Sequence, residues 1–253
     1  MQQAGLKTAE SASLGAGASS FDWISYWDQD KFWAQSKIWA LNASLFMRGV
    51  SSFMNFSKKD SVLDIGCGPG FVAELLAPTV GSYAGADTSE ALLSKARERC
   101  SLFSNASFKL LPEKYTELNT SQQFSVFLCV SVIQYYASIS EVLDLVRSAQ
   151  RISLPNGRML LADIPQPRNF SEKCLDFIAS LGRSVQKGYA SEYLKVILRL
   201  PFSDYHKITK TKRVLEIPIN QLAENVSAMG FKTTIIHPSV SICANRPSLL
   251  IQF

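Results

Sequence analysis

The sequence predicts an α/β fold in which helices pack on both faces of a parallel, doubly wound sheet. Between residues 61 and 163, short apolar segments alternate with helical segments, as parallel strands and their crossover helices do. Three glycines, Gly66, Gly68 and Gly70, lie between the first apolar segment and the helical segment that follows it. The chain has 253 residues, of which 47% are hydrophobic, so it can bury a sizeable core. These observations favour one large domain.

Each element has a local signal of its own. Thr88-Ser89-Glu90 starts the helix after the second strand, and either Ser89 or Thr88 is suited to cap its first turn. Pro218 and Gly230 bound a later helix at the positions where these residues favour a helix start and a helix end. The predicted strands are 61–65, 83–87, 107–111, 124–130, 158–162, 231–236 and 248–253, the predicted helices are 71–76, 88–100, 139–152 and 218–229, and a turn is predicted at 154–157.

Three segments interrupt or flank this alternation. Residues 1–20 are rich in Ala, Ser and Gly without any period, and predict a flexible tail. Residues 21–57 carry aromatic side chains at helical spacing and predict an N-terminal helical cap, which either packs as core or forms an aromatic lid over a pocket. Residues 166–214 predict a helical insertion that covers the strand ends. We therefore expect a single domain over 21–253 that carries this cap and this insertion.

Charge and cysteine content narrow the class of protein. The formal net charge is +5, and residues 168–213 contain ten Lys or Arg against four Asp or Glu. This basic segment either attracts an anionic partner or is an ordinary solvated helical surface. The five cysteines form no C-x-x-C pair, which argues against a disulfide framework or a zinc site and fits a cytoplasmic protein. We find no signal-peptide pattern and no apolar run of transmembrane length.

The strand ends indicate where a ligand binds. In a doubly wound sheet, ligands bind beyond the carboxyl ends of the strands. These ends are Asp64, Asp87, Leu111, Val130 and Asp163, and we expect them to line one edge of the sheet. Glycines at a tight strand-to-helix turn also let main-chain N–H groups approach a ligand closely. The sequence therefore predicts a site at the glycine turn and along this edge.

Two kinds of ligand compete for a glycine turn that is followed by an acid. A dinucleotide favours the spacing G-x-G-x-x-G, with a pyrophosphate at the helix N-terminus. Here Gly70 comes one position early, and Asp64 precedes the first glycine, where negative charge favours a cationic ligand over a phosphate. Asp87, 21 residues after Gly66, can accept hydrogen bonds from ribose hydroxyls in either case. The pattern therefore favours a nucleoside that carries a positive charge.

The stretch Val62–Gly70 resembles the first motif of the class I S-adenosylmethionine-dependent methyltransferases, of the small-molecule type (methyltransferase type 11/25-like). The likeness continues at Ala86-Asp87, at 124–136 and at 151–163, and it resumes in the last helix and the last two strands. This resemblance implies a Rossmann-like sheet of seven strands whose last strand is antiparallel. It also implies S-adenosylmethionine as the cofactor.

The resemblance further implies which residues bind the cofactor. Asp64 and the glycine turn would hold its methionine part, and Asp87 would bind its ribose. Many relatives have an Asp directly at the end of the third strand, where this chain has Leu111-Pro112-Glu113, so Glu113 is the candidate for the adenine edge. The full set implied is Asp64, Gly66, Cys67, Gly68, Gly70, Asp87, Thr88, Leu111, Pro112, Glu113, Val130 and Ser131.

Candidate catalytic residues follow from the needs of methyl transfer. The protein must align an acceptor with the methyl group, and a hydroxyl acceptor also benefits from a general base. His206, in the insertion, is the candidate base, although a surface position would explain it too; His237 favours a structural role. Tyr26, Gln134 and Asp163 are expected to face the acceptor, and packing or capping is the alternative for each. No cluster of metal-ligating residues is visible in the sequence.

We therefore expect a methyltransferase that modifies an oxygen or nitrogen of a small molecule, such as a sugar or a secondary metabolite. The basic insertion is compatible with an anionic acceptor. Two alternatives stay open: an enzyme that modifies RNA or a carrier-bound anionic substrate, and a non-catalytic module that binds S-adenosylmethionine. Nucleic acid is the less favoured partner, because no RNA-binding domain is evident and no Asn-Pro-Pro-Tyr-like motif follows the fourth strand. The sequence leaves the oligomeric state open.

Overall fold

The computed structural model describes residues 23–28, 37–111, 118, 120–237 and 239–253. Its strands are β1 (Ser61–Ile65), β2 (Ser82–Asp87), β3 (Ala106–Leu110), β4 (Phe124–Val130), β5 (Ser153–Ala162), β6 (Lys232–Ile236) and β7 (Ser248–Gln252). They form one sheet in the order β3-β2-β1-β4-β5-β7-β6. The first five strands pair in parallel, whereas β7 is antiparallel to both β5 and β6. The predicted sheet is confirmed, including its antiparallel last strand.

The helices between these strands agree with the predicted alternation. In the described residues they are α1 (Trp23–Trp27), α2 (Lys37–Met54), α3 (Phe71–Leu76), α4 (Glu90–Arg99), α5 (Ile139–Arg151), α6 (Phe170–Gln186), α7 (Ala190–Arg199), α8 (Asp204–Thr211) and α9 (Ile219–Ala228), with short 3-10 turns at Ile133–Tyr135 and Leu200–Phe202. Three of these helices, α6 to α8, lie in the predicted insertion. The tail predicted over 1–20 and part of the predicted cap lie outside the described residues.

Apolar residues bury the sheet on both faces. In β4, Phe127 and Cys129 pack with α5 and α9, whereas Val126 and Leu128 pack with α2 and α3. Side chains alternate between the two faces of a strand, so a strand covered on both sides needs a continuous apolar sequence. Each large core side chain contributes roughly 1.5–3 kcal/mol through burial. This packing holds the carboxyl ends of the strands in a fixed row.

The turn predicted at 154–157 lies inside a strand. β5 begins at Ser153, and its pairing with β4 changes register between Phe124 and Val126. Asn156, within this irregular part, has a positive φ of 60°. The turn residues therefore produce an irregular start to β5, and the strand is longer than the predicted segment 158–162.

Candidate active site

The glycine turn after β1 is shaped by close backbone packing. Gly66, Gly68 and Gly70 have φ angles of 75°, 53° and 80°, a region that side chains with a Cβ rarely adopt. The N–H groups of Gly66 and Cys67 both donate to the carbonyl of Ala86 on β2, at 2.7 and 3.1 Å. A Cβ on Gly66 would stand 2.3 Å from Cγ2 of Val132. The turn therefore requires glycine, and its backbone is exposed to a ligand on the cavity side.

Asp87, at the end of β2, fastens this turn to the next one. Its Oδ2 accepts a hydrogen bond from the Gly68 N–H at 2.8 Å, and its Oδ1 accepts one from the Ser89 N–H at 3.0 Å. The residue is only 5% exposed. A buried carboxylate needs such partners, because an uncompensated charge in the interior is costly. Asp87 thus fixes the glycine turn and the start of α4 relative to each other.

Asp64 is the second buried acid beside the turn. Its Oδ2 accepts a hydrogen bond from the Tyr83 hydroxyl, and the residue is 2% exposed. Burial raises the pKa of Asp64 to about 7; the Tyr83 hydrogen bond opposes this shift, and the negative charge of Asp87 adds to it. Asp64 therefore changes charge near neutral pH, and a cation beside it would favour its ionised form.

A polar network joins the ends of β4 and β5. Asp163 accepts hydrogen bonds from the hydroxyls of Ser131 and Ser241, the former at 2.6 Å. Nη1 of Arg246 donates to Asp163 at 3.2 Å and to Oε1 of Gln134 at 3.1 Å. Both Ser131 and Asp163 have positive φ angles, 60° and 63°. Non-glycine residues in this conformation cost free energy and are concentrated at functional sites.

These two groups of residues line one cavity of about 320 Å³. Nine of the predicted site residues line it: Asp64, Gly66, Cys67, Gly68, Asp87, Val130, Ser131, Gln134 and Asp163. This volume lies within the range of small-molecule sites. Four of the five predicted strand ends therefore line the cavity. The fifth, Leu111, is half-buried outside the cavity, and its N–H donates to the carbonyl of Asp87.

Aromatic rings from distant parts of the chain line the cavity. The Trp27 ring lies 5.8 Å from the Trp39 ring and 5.7 Å from the Tyr135 ring, centroid to centroid, and all three line the cavity. Oδ1 of Asp28 accepts hydrogen bonds from the Ala91 N–H and the Ser89 hydroxyl, both at 3.2 Å. The start of α4 therefore holds α1 against the cavity.

Other predicted site residues lie outside the cavity lining. Tyr26 is fully buried among aromatic rings, and its burial raises its pKa well above the usual value. His206 is half-buried on α8, and its neighbour Tyr205 lines the cavity instead. Gly70 and Thr88 are also absent from the lining, Gly70 being the N-cap of α3. Pro112 and Glu113 lie outside the described residues, and their predicted roles stay predictions.

The cavity lining also contains residues that sequence reasoning missed, among them Tyr205, Cys243 and Arg246. A topological signal existed for Arg246, because an antiparallel last strand begins at the edge where the parallel strands end. Arg246 lies two residues before β7, and the carbonyl of the intervening Pro247 accepts a hydrogen bond from the Ile164 N–H at 3.0 Å. Tyr205 had no local signal that separated it from His206.

Comparison with known proteins gives one family match and several partial relatives. Residues 56–198 match a family model described as a methyltransferase domain. The chain is 26% identical over 129 residues to demethylmenaquinone methyltransferase of Tropheryma whipplei (strain Twist), a match over 49% of each chain. It therefore spans about half the length of that relative. It is 22% identical over 174 residues to ubiquinone biosynthesis O-methyltransferase of Acinetobacter baylyi, covering 68% of this chain and 63% of the relative.

A solved structure shares the fold over nearly the whole chain. The N-methyltransferase NodS from Bradyrhizobium japonicum, crystallised with S-adenosyl-L-homocysteine, superposes with a TM-score of 0.54 at 13% identity. The superposition covers 91% of this chain and 95% of NodS. The family match contains β1 to β5, with the glycine turn, Asp87 and Asp163, and it covers more than half of the chain. The chain therefore belongs to the S-adenosylmethionine-dependent methyltransferase family.

Proposed function

We propose that the protein transfers a methyl group from S-adenosylmethionine to an oxygen or nitrogen atom of a small molecule bound in the cavity. When bound, the cofactor supplies a methyl group that its sulfonium has already activated. The observation that carries this proposal is the meeting of the glycine turn, Asp64 and Asp87 on one side of the cavity. The other side, which is lined by different strand ends, is left for an acceptor.

The residues on the β1–β2 side fit this cofactor. The glycine turn presents backbone that carries no Cβ, so a ligand can approach the main chain closely, while the N–H groups of Gly66, Cys67 and Gly68 hold the turn in place. Each carboxylate oxygen of Asp87 accepts a backbone hydrogen bond, and because a carboxylate oxygen can accept more than one, Asp87 can also accept from ribose hydroxyls. Asp64 lines the same side, and its ionised form suits a ligand with sulfonium and ammonium charges.

The β4–β5 side supports a binding site for the acceptor. Ser131, Gln134 and Asp163 hold one another there through hydrogen bonds, so their positions are fixed before any ligand arrives. Val196 of α7 and Tyr205 of α8 complete the lining from the insertion. These contacts support the predicted role of the insertion as a lid, which would limit the access of water to the reacting atoms.

Arg246 supports the expectation of an anionic acceptor. Among the described residues, it makes both of its hydrogen bonds through Nη1. A guanidinium has five N–H donors, so the donors on Nε and Nη2 stay available for a carboxylate. We propose that a carboxylate on the acceptor binds Arg246, which would orient the acceptor relative to the methyl group.

The cavity also favours an acceptor that needs no general base. Asp163 accepts three hydrogen bonds, so both of its oxygens already have donors within the protein. His206 does not line the cavity in the described part of the chain. A neutral amine or an oxygen that is already ionised attacks without assistance, whereas an alcohol does not. Alignment by Gln134 and Arg246 would then be the main contribution of the acceptor side.

Calorimetry with S-adenosylhomocysteine tests the cofactor half of this proposal. Asp87→Ala should lose measurable binding, because it removes both the carboxylate that accepts from the Gly68 N–H of the turn and the proposed acceptor for the ribose hydroxyls. Asp144→Ala, which removes an exposed acid paired with Arg147, is the matched control and should bind normally. Unchanged binding by Asp87→Ala would rule out the proposed cofactor site.

A screen with isotopically labelled S-adenosylmethionine tests the acceptor half. The screen contains small amines, phenols and carboxylic acids, and it pairs each carboxylic acid with its neutral amide. All compounds are tested with the wild type and with Arg246→Gln. We expect turnover of at least one acid and a higher KM for that acid in Arg246→Gln, with little change for neutral acceptors. An equal loss for acids and amides would show that Arg246 only supports the fold.

A further inference from the structure

The first helix of the insertion turns its apolar side outward. In α6, Leu175, Ile178 and Val185 are 65%, 62% and 63% exposed. Their spacing of three and seven residues places them on one face of the helix. Ser180 and Ser184, which face the protein, are small, polar and buried. This is the reverse of an ordinary surface helix, which buries its apolar face.

The next elements of the insertion extend this exposed apolar surface. Leu198 on α7 is 71% exposed, and Phe202, which follows α7, is 85% exposed. Eight of the eleven exposed large hydrophobic side chains in the described part of the chain lie between residues 170 and 202. We call these eight side chains the hairpin surface: Phe170, Leu175, Phe177, Ile178, Val185, Leu194, Leu198 and Phe202. Such clustering marks an interaction site rather than scattered surface residues.

The hairpin surface lies in the basic part of the chain. Residues 168–213 hold ten Lys or Arg against four acids, so the rest of the chain is close to neutral. Lys187 is exposed in the turn between α6 and α7, and Lys210 and Arg213 are exposed at the end of the insertion. Apolar side chains flanked by cations are typical of helices that lie in the interface of an anionic bilayer.

We propose that the hairpin surface docks on an anionic phospholipid bilayer. The apolar side chains of the hairpin surface would enter the headgroup region, and exposed cations of the same segment, such as Lys187, would contact the lipid phosphates. A symmetric dimer through the same surface would bring two basic segments together, and their repulsion opposes that occupant. No helix in the described residues is long and apolar enough to span a membrane, so the contact would be peripheral.

The opposite side of the same insertion lines the cavity. Val196 on α7 lines the cavity and lies two residues before the exposed Leu198. Tyr205 on α8 also lines the cavity and lies three residues after the exposed Phe202. A bilayer in contact with the outer side would therefore lie next to the cover of the cavity. Docking is independent of methyl transfer, so each can be tested without the other.

Vesicle co-sedimentation of the full chain tests this proposal. We compare vesicles of phosphatidylcholine alone with vesicles that contain about 30% phosphatidylglycerol, where electrostatic attraction adds to apolar insertion. Binding should occur on the anionic vesicles and weaken as salt is added. The double variant Leu175→Ser/Ile178→Ser should bind at least about tenfold more weakly than the wild type, since two exposed aliphatic side chains no longer insert. Leu102→Ser, which changes a side chain that is 92% exposed outside the hairpin surface, should bind like the wild type.

Other outcomes would overturn the proposal. Absence of binding to either vesicle, or equal binding by the wild type and the double variant, would exclude the hairpin surface as a lipid contact. Light scattering that shows a dimer in the wild type and a monomer in the double variant would assign the surface to a second copy instead. Calorimetry with S-adenosylhomocysteine should give the same affinity for all variants, which shows that the fold and the cofactor site are intact.

Discussion

The buried hydroxyl of Tyr83 on β2 donates a hydrogen bond to the buried carboxylate of Asp64 on β1. Burial raises the pKa of both groups, that of Tyr83 far above its usual value and that of Asp64 to about 7. The phenol therefore stays protonated and can donate at any physiological pH. Asp64 is consequently the partner whose charge depends on pH.

Cofactor affinity should depend on pH through Asp64. Below a pH of about 7 the carboxyl of Asp64 is protonated. A cationic cofactor must displace that proton before it is attracted by the negative charge of the carboxylate. Affinity for S-adenosylmethionine should then fall by up to about tenfold for each pH unit below 7. Calorimetry across this range measures the slope. Asp64→Asn should bind more weakly with a flat profile; an unchanged slope in this variant would assign the titration to another group.

The stability of the cofactor-free protein should depend on pH in the opposite sense, being higher at lower pH. The pKa of Asp64 rises from 3.8 to about 7 on folding, so the folded state binds more protons between these values. The free energy of unfolding therefore falls as pH rises through this window. Asp64→Asn, whose amide oxygen can still accept from Tyr83, should be more stable by roughly 2–4 kcal/mol above pH 7. Urea unfolding at several pH values measures this, and a less stable variant would contradict it.

Gly66→Ala should disrupt the turn. The new Cβ would meet Val132 at 2.3 Å, and alanine would also be strained at a φ of 75°. We expect a loss of more than about 2 kcal/mol in stability together with loss of S-adenosylhomocysteine binding, because the backbone must move. Gly182→Ala is the control, since open space surrounds that glycine in α6, and it should stabilise the helix by about 0.5–1 kcal/mol. Thermal unfolding and calorimetry distinguish the two variants.

The ion pair between Asp60 and Arg158 should matter for stability at the far edge of the sheet. Asp60 also accepts from the Ser57 N–H and the Ser125 hydroxyl; burial opposes its ionisation, but these bonds and Arg158 lower its pKa overall. Asp60→Asn should lose about 2 kcal/mol near neutral pH. The difference from the wild type should disappear in acid, where the wild type also loses this charge. Asp144→Asn, in an exposed pair, should change stability by less than about 0.5 kcal/mol in the same urea titrations.

Asp28 should control how α1 packs on the cavity. Asp28→Ala removes the acceptor for the Ala91 N–H and should cost about 0.5–1 kcal/mol, as loss of a helix cap does. Because Trp27 lies beside Trp39, its displacement should change the tryptophan fluorescence. Asp28→Asn keeps an acceptor oxygen and should resemble the wild type. Identical spectra for Asp28→Ala would show that the aromatic packing and the hydrogen bond from the Ser89 hydroxyl to the Trp27 carbonyl hold α1 without Asp28.

Local patterns predicted the sheet and the half of the site near β1. The cap at Ser89 is confirmed by a hydrogen bond from the Leu92 N–H to its hydroxyl, at 3.1 Å. The predicted bounds of β1, β2 and β3 agree with the structure within one residue. These features depend on neighbouring residues, namely the period of apolar side chains, a capping hydroxyl and glycines at a turn. Such information is contained in a short stretch of sequence.

Contacts between distant segments were not predictable in this way. Arg246 meets Asp163 across 83 residues, and no local pattern connects them. The difference between Tyr205 and His206 is a rotation of about 100° around α8, which the sequence of so short a helix does not define. The base predicted at His206 stays a prediction for the same reason. Long-range packing decides these positions.

The two sides of the cavity come from very different lengths of chain. Asp64, the glycine turn and Asp87 lie within 24 consecutive residues, whereas the opposite side combines residues from Ser131 to Arg246. Substitutions among the residues that contact the methyl acceptor can therefore accumulate without disturbing the binding of the methyl donor. Chimeras of homologous enzymes that exchange the segment after β4 should therefore inherit the acceptor preference of the enzyme that supplies this later segment.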